Sequence, residues 1–572
     1  MILFKKMRKA VPFFIACAFL LSACESGDGS GSDVESKDDT SGFVSSVSAE
    51  ADSSEQSFES SFEDQSEEAS EEDNLDSVIN VSFVASEGGY VSGNVKQALK
   101  SGEVTKAVTA TPILCYRFKE WSDGVTEQTR GGDSFEADTV ITAIFEYAGL
   151  PEIHIDYKGT ISKNRETKAT YTVKNACGIY EFEGASGFIK GRGNATWKHA
   201  KKPYKIEFDE SVNLLGIGEN AKHDWVLIAN HADQSLFRNY FAYNMAYQLG
   251  IGYKSTLCEV YFNGKYHGVY MLTGQVEESR LKVEVSEGGY IIELDRYYSG
   301  KENVNYVTVG KEHYTLKSDY VDAKQMAEIK SYIQEINAAL DSKNKERICE
   351  LIDIESCVNM YLLQEYTKNT DAGWSSFYMY KRDGEDKLHF GPAWDFDIAM
   401  GNDYRLDKGS YENIYVGRYS GFTQQNWWFI YLCRMEWFRE LALQKWNTDF
   451  YGRIADMLDN IKETAALNWD ELENNFVRWD KVFGNRINCE PVHIMELSSY
   501  SEHFRFFIAW MELRLDWLDD CFNNEEFWLE EINDRTYPQY KGGRIPEIEK
   551  DSSSNVDEKP SEDVSESVRP RP

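Results

Sequence analysis

Basic charge is scarce in this 572-residue chain: 61 Lys and Arg stand against 96 Asp and Glu, for a net charge of −35. That balance argues against a nucleic-acid partner, which calls for a basic face. It leaves open a basic protein substrate or mere solubility. Cysteine is thinly spread. Beyond the N-terminal segment it occurs at 115, 177, 258, 349, 357, 433, 489 and 521, without a Cys-x-x-Cys, so a zinc site is not expected and no disulfide pairing can be deduced. His223 and His231 lack a third ligand at metal-binding spacing. The N-terminal apolar run, residues 11–21, is short for a membrane span. No long internal repeat is present, and the length suits two or three domains.

The first 24 residues read as a targeting segment. Lys5, Lys6, Arg8 and Lys9 precede the apolar run, which ends in Leu21-Ser22-Ala23-Cys24. This end resembles a bacterial lipobox. The resemblance implies cleavage before Cys24, a lipid on its thiol, and an extracytoplasmic protein anchored to the cell membrane without spanning it. Residues 25–77 hold 18 acidic residues and one lysine among serines and glycines. Such a stretch cannot bury enough apolar surface to offset its ordering entropy, which predicts a disordered acidic tether.

Residues 78–148 alternate in β fashion, with turns at Gly88-Gly89 and Gly93-Asn94. Together with Tyr116-Arg117-Phe118-Lys119-Glu120-Trp121-Ser122-Asp123-Gly124 they resemble one internalin-type B-repeat, which implies a small all-β spacer or adhesion module. Trp121 is assigned to its core.

The main domain is expected over residues 150–540, with a polar disordered tail over 541–572. A glycine-rich string, residues 184–197, contains Gly191, Arg192 and Gly193. Glycine lets backbone approach a ligand closely, and successive N–H groups cradle phosphate. The strand-like Lys201-Lys202-Pro203-Tyr204-Lys205 follows, with Lys202 first and Lys205 second as phosphate cations. Asn263-Gly264 marks a hairpin. Glu277 is the expected ion-pair partner of the phosphate lysine, with Glu278 and Glu293 as competitors. Helices are expected from Asp233 to Gly250 and over residues 323–340, 354–367, 426–446 and 501–522. The aromatics of 426–446 repeat at helical spacing and belong to a core.

The chain centres on residues 366–403. Asp371 follows an apolar helix. Asp395 and Asp397 follow Trp394 in Trp-Asp-Phe-Asp. Between them, 376–380 and 387–390 read as a hairpin, which brings Asp371 and Asp395 together at one end. Phosphoryl transfer needs that pair, one acid as base and one to hold magnesium.

The stretch Pro392–Asn402, with GRGNATW, KKPYKIEFD, HDWVLIANHADQSLFRNY and VYFNGKYHGVYMLTGQVE, resembles the CotH family of spore-coat-type atypical protein kinases. The motifs recur in the family's order over roughly two thirds of the chain. The resemblance implies an α+β, two-lobed kinase-like domain that uses ATP and Mg²⁺ to phosphorylate a protein whose identity is open. In that frame Asp371 is the base, Asp395 the metal ligand with Asp397 beside it, and Arg192 a further phosphate contact. Kinases place a metal-binding Asn five residues after the base. Here that position is Ser376, a weaker ligand, and Asn369 is a nearby substitute. Two other readings compete: a non-catalytic pseudokinase or adhesin, and a glycoside hydrolase suggested by aromatics and paired carboxylates.

Overall fold

The computed structural model describes residues 78–298, 305–318 and 321–551. The targeting segment with Cys24, the acidic tether up to residue 77 and residues 552–572 lie outside the described residues.

The N-terminal module is all β. Strand Ile79–Ala85 pairs antiparallel with Lys96–Leu99 and parallel with Thr139–Tyr147, which in turn pairs with Tyr116–Trp121. A second sheet joins Gly89–Gly93, Val108–Pro112 and Thr129–Arg130. The inward residues of the alternating strands, Val81, Phe83, Ile141 and Ala143, close on Trp121, which is fully buried. The Trp121 indole N–H donates to the Glu127 carbonyl oxygen at 2.9 Å, so this side chain is core and not an exposed platform.

The larger domain has two hydrophobic cores. One fills a closed seven-stranded barrel that opens with Glu152–Tyr157 and ends with Lys265–Gly274. Closure comes from the parallel pairing of Glu152–Tyr157 with Ser255–Phe262. The hairpin at Asn263-Gly264 forms because both residues sit at positive φ, 49° and 73°. The second core lies between a five-stranded antiparallel sheet and the helices. In that sheet Tyr290–Leu294 is central, flanked by Glu312–Leu316 and Phe377–Lys381. Phe377–Lys381 pairs with His389–Phe390, which is the expected hairpin between the two acidic loops.

Helices Ala323–Asp341, Ile354–Thr367 and Tyr500–Phe522 form close to where the apolar spacing places them. Three boundaries differ. The helix expected from Asp233 begins at Arg238, because Asp233 instead accepts from Ser235 and from the Arg238 N–H in a separate turn. The helix expected over 426–446 is two, Trp427–Leu432 and Glu436–Lys445, although its aromatics Phe429, Phe438 and Trp446 are fully buried. The domain also continues past residue 541. Gly542 and Arg544 carbonyl oxygens accept from Asn413 and Ser410, and Asp551 pairs with Arg505 at 2.6 Å, so residues 542–551 pack as a strap where a tail was expected.

Candidate active site

Asp371 is delivered by local geometry. Helix Ile354–Thr367 stops at Lys368, which takes a left-handed φ of 46°. The Lys368 ammonium is buried against Asp407 at 2.9 Å and the carbonyl oxygens of Ser410 and Glu412. A one-turn 3₁₀ helix, Thr370–Gly373, then presents Asp371. Asn369 caps it: its Oδ1 accepts from the Asp371 N–H at 3.1 Å, and its Nδ2 donates to the Asp395 carbonyl oxygen at 3.3 Å. Both ends of that amide hold backbone, so Asn369 is a tie between the two acidic loops.

Asp395 arrives from the other end of the hairpin at φ 65°. Its backbone N–H donates to Tyr243 Oη at 3.2 Å, and the Phe396 N–H donates to Asn239 Oδ1 at 2.8 Å. Both partners sit on helix Arg238–Gln248, and Arg238 itself donates to the Ala399 carbonyl oxygen at 3.1 Å, which accounts for the polar Arg238-Asn239 on a largely apolar helix. Ser376, five residues after Asp371, donates from Oγ to Asp395 Oδ2 at 3.4 Å.

Negative charge accumulates here. Burial, then repulsion from Asp395, lifts Asp371 to about 7. Burial also pushes Asp395 up, with the Arg192 guanidinium and the Ser376 hydroxyl pulling the other way. Asp397 is buried, and burial followed by Asp395 and Asp371 raises it well above the carboxylate range. The Asp397 carboxylate accepts no hydrogen bond among the described residues. On the far side of Asp371, Gln424 donates to its Oδ1 at 3.3 Å, and Arg405 holds both Gln424 and Asp403.

The cations differ from expectation. Arg192 does reach the cleft, with its guanidinium 5.2 Å over the Trp394 ring. Lys202 does not: its ammonium donates to the Trp197 and His199 carbonyl oxygens at 2.7 and 2.9 Å, clamping its own loop. Lys205 pairs with Asp224 at 2.7 Å and Glu207 at 3.3 Å. Glu277 pairs with Arg280 at 3.1 Å instead of a phosphate lysine. The competing Glu293 is the glutamate of the cleft. It accepts from the Ser376 N–H at 2.9 Å and forms an ion pair with Lys317 on the same sheet. Lys317 was not anticipated; the trace of it in the sequence is the apolar-polar alternation ending at Leu316, which puts a lysine at the strand end. Gly191 and Gly193 have packing reasons. A Cβ on Gly191 would stand 2.2 Å from the Trp197 ring, and Gly193 turns at φ 84°.

Clustered hard oxygen donors, where burial and mutual repulsion raise Asp371 and Asp397, suit a divalent cation such as magnesium. Among the described residues no three Asp, Glu, His or Cys side chains form a ready-made metal group. Magnesium needs none, since it binds through one or two carboxylates and takes water and phosphate for the rest.

Two families match the chain. The family described as CotH kinase protein matches residues 189–518, more than half of the chain and all of the cleft above. The divergent InlB B-repeat domain matches residues 79–149, the all-β module. No curated protein matches.

Proposed function

The chain belongs to the CotH kinase protein family, and from that premise we propose that it transfers the γ-phosphoryl group of ATP to a Ser or Thr hydroxyl of an extracytoplasmic protein. The observation that carries this reading is the convergence of Asp371 and Asp395 from opposite ends of one hairpin, tied through Asn369 and facing Arg192.

In this proposal Asp371 accepts the proton of the incoming hydroxyl. The hydroxyl oxygen bonds to the γ-phosphorus as the bond to the β–γ bridging oxygen breaks and ADP leaves with the electron pair. A base that titrates near 7 is matched to the task at neutral pH. Arg192 enters from the barrel side and Lys317 from the sheet, held by Glu293, so the phosphates meet a cation on each wall. Asp395 and Asp397, with the Ser376 hydroxyl, would hold magnesium, which when bound supplies charge neutralisation on the phosphates. The lipobox-like Cys24 would tether the enzyme to the membrane, with the B-repeat module as spacer.

Ser376 in the place of an Asn favours a second, non-catalytic reading in which the cleft binds nucleotide without turnover. The test uses the full-length chain with γ-labelled ATP and Mg²⁺. Label on Ser or Thr, together with a thermal shift from ATP, supports transfer. A shift without label supports the second reading. Neither at millimolar ATP ends both.

A further inference from the structure

We infer that the molecule carries a second ligand site, separate from the acidic cleft, that takes a small phosphate-bearing anion. It is a cavity of about 240 Å³ between the barrel, the end of helix Arg238–Gln248 and the hairpin strand Phe377–Lys381.

Five cations line it: Lys222, Lys254, Arg280, Lys282 and Arg382, against one lining acid, Glu219. In a chain of net charge −35 such a gathering runs against the overall balance. Glu277 and Glu385 pair with Arg280 and Arg382, which leaves Lys222, Lys254 and Lys282 without a carboxylate partner among the described residues and available to an anion. Three of the five are held in place. Arg382 donates to the Leu281 carbonyl oxygen at 2.9 Å and to Tyr380 Oη at 3.1 Å, with Glu385 at 3.3 Å outside the cavity lining. The Arg280 guanidinium stands 4.6 Å over the Trp225 ring and pairs with Glu277. Lys222 donates to Ser279 Oγ at 3.1 Å. Lys254 and Lys282 are exposed, and their ammonium groups have no partner among the described residues. Tyr253 also lines the cavity, with its hydroxyl turned away into the protein beside the Glu277 backbone.

The combination of guanidinium and ammonium groups matches the acceptor oxygens of a phosphate or phosphate ester. The volume holds a group of pyrophosphate or sugar-phosphate size and is too small for a long peptide. The floor is Gly391-Pro392, and Ala393 beyond it donates to the Ile251 carbonyl oxygen at 2.8 Å. The cavity therefore lies behind the segment that carries Asp395, and an Asp395 variant serves as its control.

The probe is inorganic pyrophosphate, titrated calorimetrically into the full-length chain with EDTA present, so that the acidic cleft has no divalent cation to recruit it, and repeated on Lys317→Met to exclude binding there. The expected result is one site that weakens about tenfold or more in Lys254→Ala/Lys282→Ala, weakens again at 300 mM against 50 mM salt, and is unchanged in Asp395→Asn. Because the two lysines are exposed and unpartnered, the double variant retains its fold, which circular dichroism verifies. Arg382→Gln, which keeps the cavity wall, is expected to weaken binding as well. Absence of binding in the parent chain, affinity unchanged from the parent in the lysine and arginine variants, or loss only in Asp395→Asn overturns the proposal. So does binding of a peptide of residues 25–77 at this cavity while pyrophosphate fails.

Discussion

Asn369 ties the two acidic loops together, donating to the Asp395 carbonyl oxygen at 3.3 Å from the same amide whose Oδ1 accepts the Asp371 N–H at 3.1 Å. One side chain outside the chemistry thus links the two acidic loops, in addition to the hairpin and the Tyr243 and Asn239 contacts. Asn369→Ala leaves a buried N–H unpaired, which costs about 1–3 kcal/mol, and frees the loops to part. The expected result is a lowered denaturant midpoint and a fall in turnover larger than the fall in ATP affinity. Paired unfolding and kinetic measurements check it.

Asp371 gives a pH dependence of defined sign. It titrates at about 7 in the fold and at about 3.9 in an unfolded chain. Between those values the folded state holds a proton that the unfolded state has lost. The contribution of this group to stability is therefore fully present below about 4 and lost as pH rises through about 7. Asp371→Asn removes that loss. In the absence of divalent cations its Tm is expected to exceed the parent's at pH 8, with the gap closing towards pH 4. An offset independent of pH would show that Asp371 does not titrate as described.

In the proposed mechanism Lys317 takes the phosphate-contact role that the sequence position suggests for Lys202. Lys317→Met is expected to weaken ATP binding about tenfold, the usual scale for a charged hydrogen bond. Lys202→Met, whose ammonium is engaged by the Trp197 and His199 carbonyl oxygens of its own loop, is expected to leave affinity within about twofold of the parent. Isothermal titration of both variants decides, and the reverse order would return the phosphate contact to the glycine-rich strand.

Ser376 faces Asp395 at 3.4 Å. Ser376→Asn adds an amide oxygen, a better ligand for a hard cation than a hydroxyl. Tighter Mg²⁺ binding is expected, read as a lower Mg²⁺ concentration for half-maximal ATP binding. No change would mean that this side chain points away from the ion.

Much of this cleft was legible because its signals are local. The hairpin between Asp371 and Asp395 follows from β-formers around a turn, and the convergence of its ends follows from pairing geometry. Arg192 was readable from its place in a glycine-rich string. The glutamate and lysine were not. Glu293 and Glu277 look alike in sequence, and only the sheet register, which sets Glu293 opposite Tyr378 and Thr315, brings the former to Ser376 and Lys317. Lys202 was misplaced because a lysine after a glycine-rich loop can turn back onto the carbonyl oxygens of that loop, a choice made by backbone geometry rather than residue type. The strap over 542–551 has few apolar residues, and what holds it, besides the buried Pro546 and Ile548 packed half-buried against the core, is a set of hydrogen bonds to Ser410, Asn413 and Glu412 far away in sequence.

The division of labour between Asp371 and Asp395 is the centre of the account. Mg·ATP affinity and phosphoryl transfer, measured side by side on Asp371→Asn and Asp395→Asn, test it most directly. The account predicts that Asp371→Asn keeps Mg·ATP affinity near the parent value while transfer falls about 10²–10⁴-fold, and that Asp395→Asn loses both. Equal loss of affinity in the two variants, or full transfer in either, would contradict it.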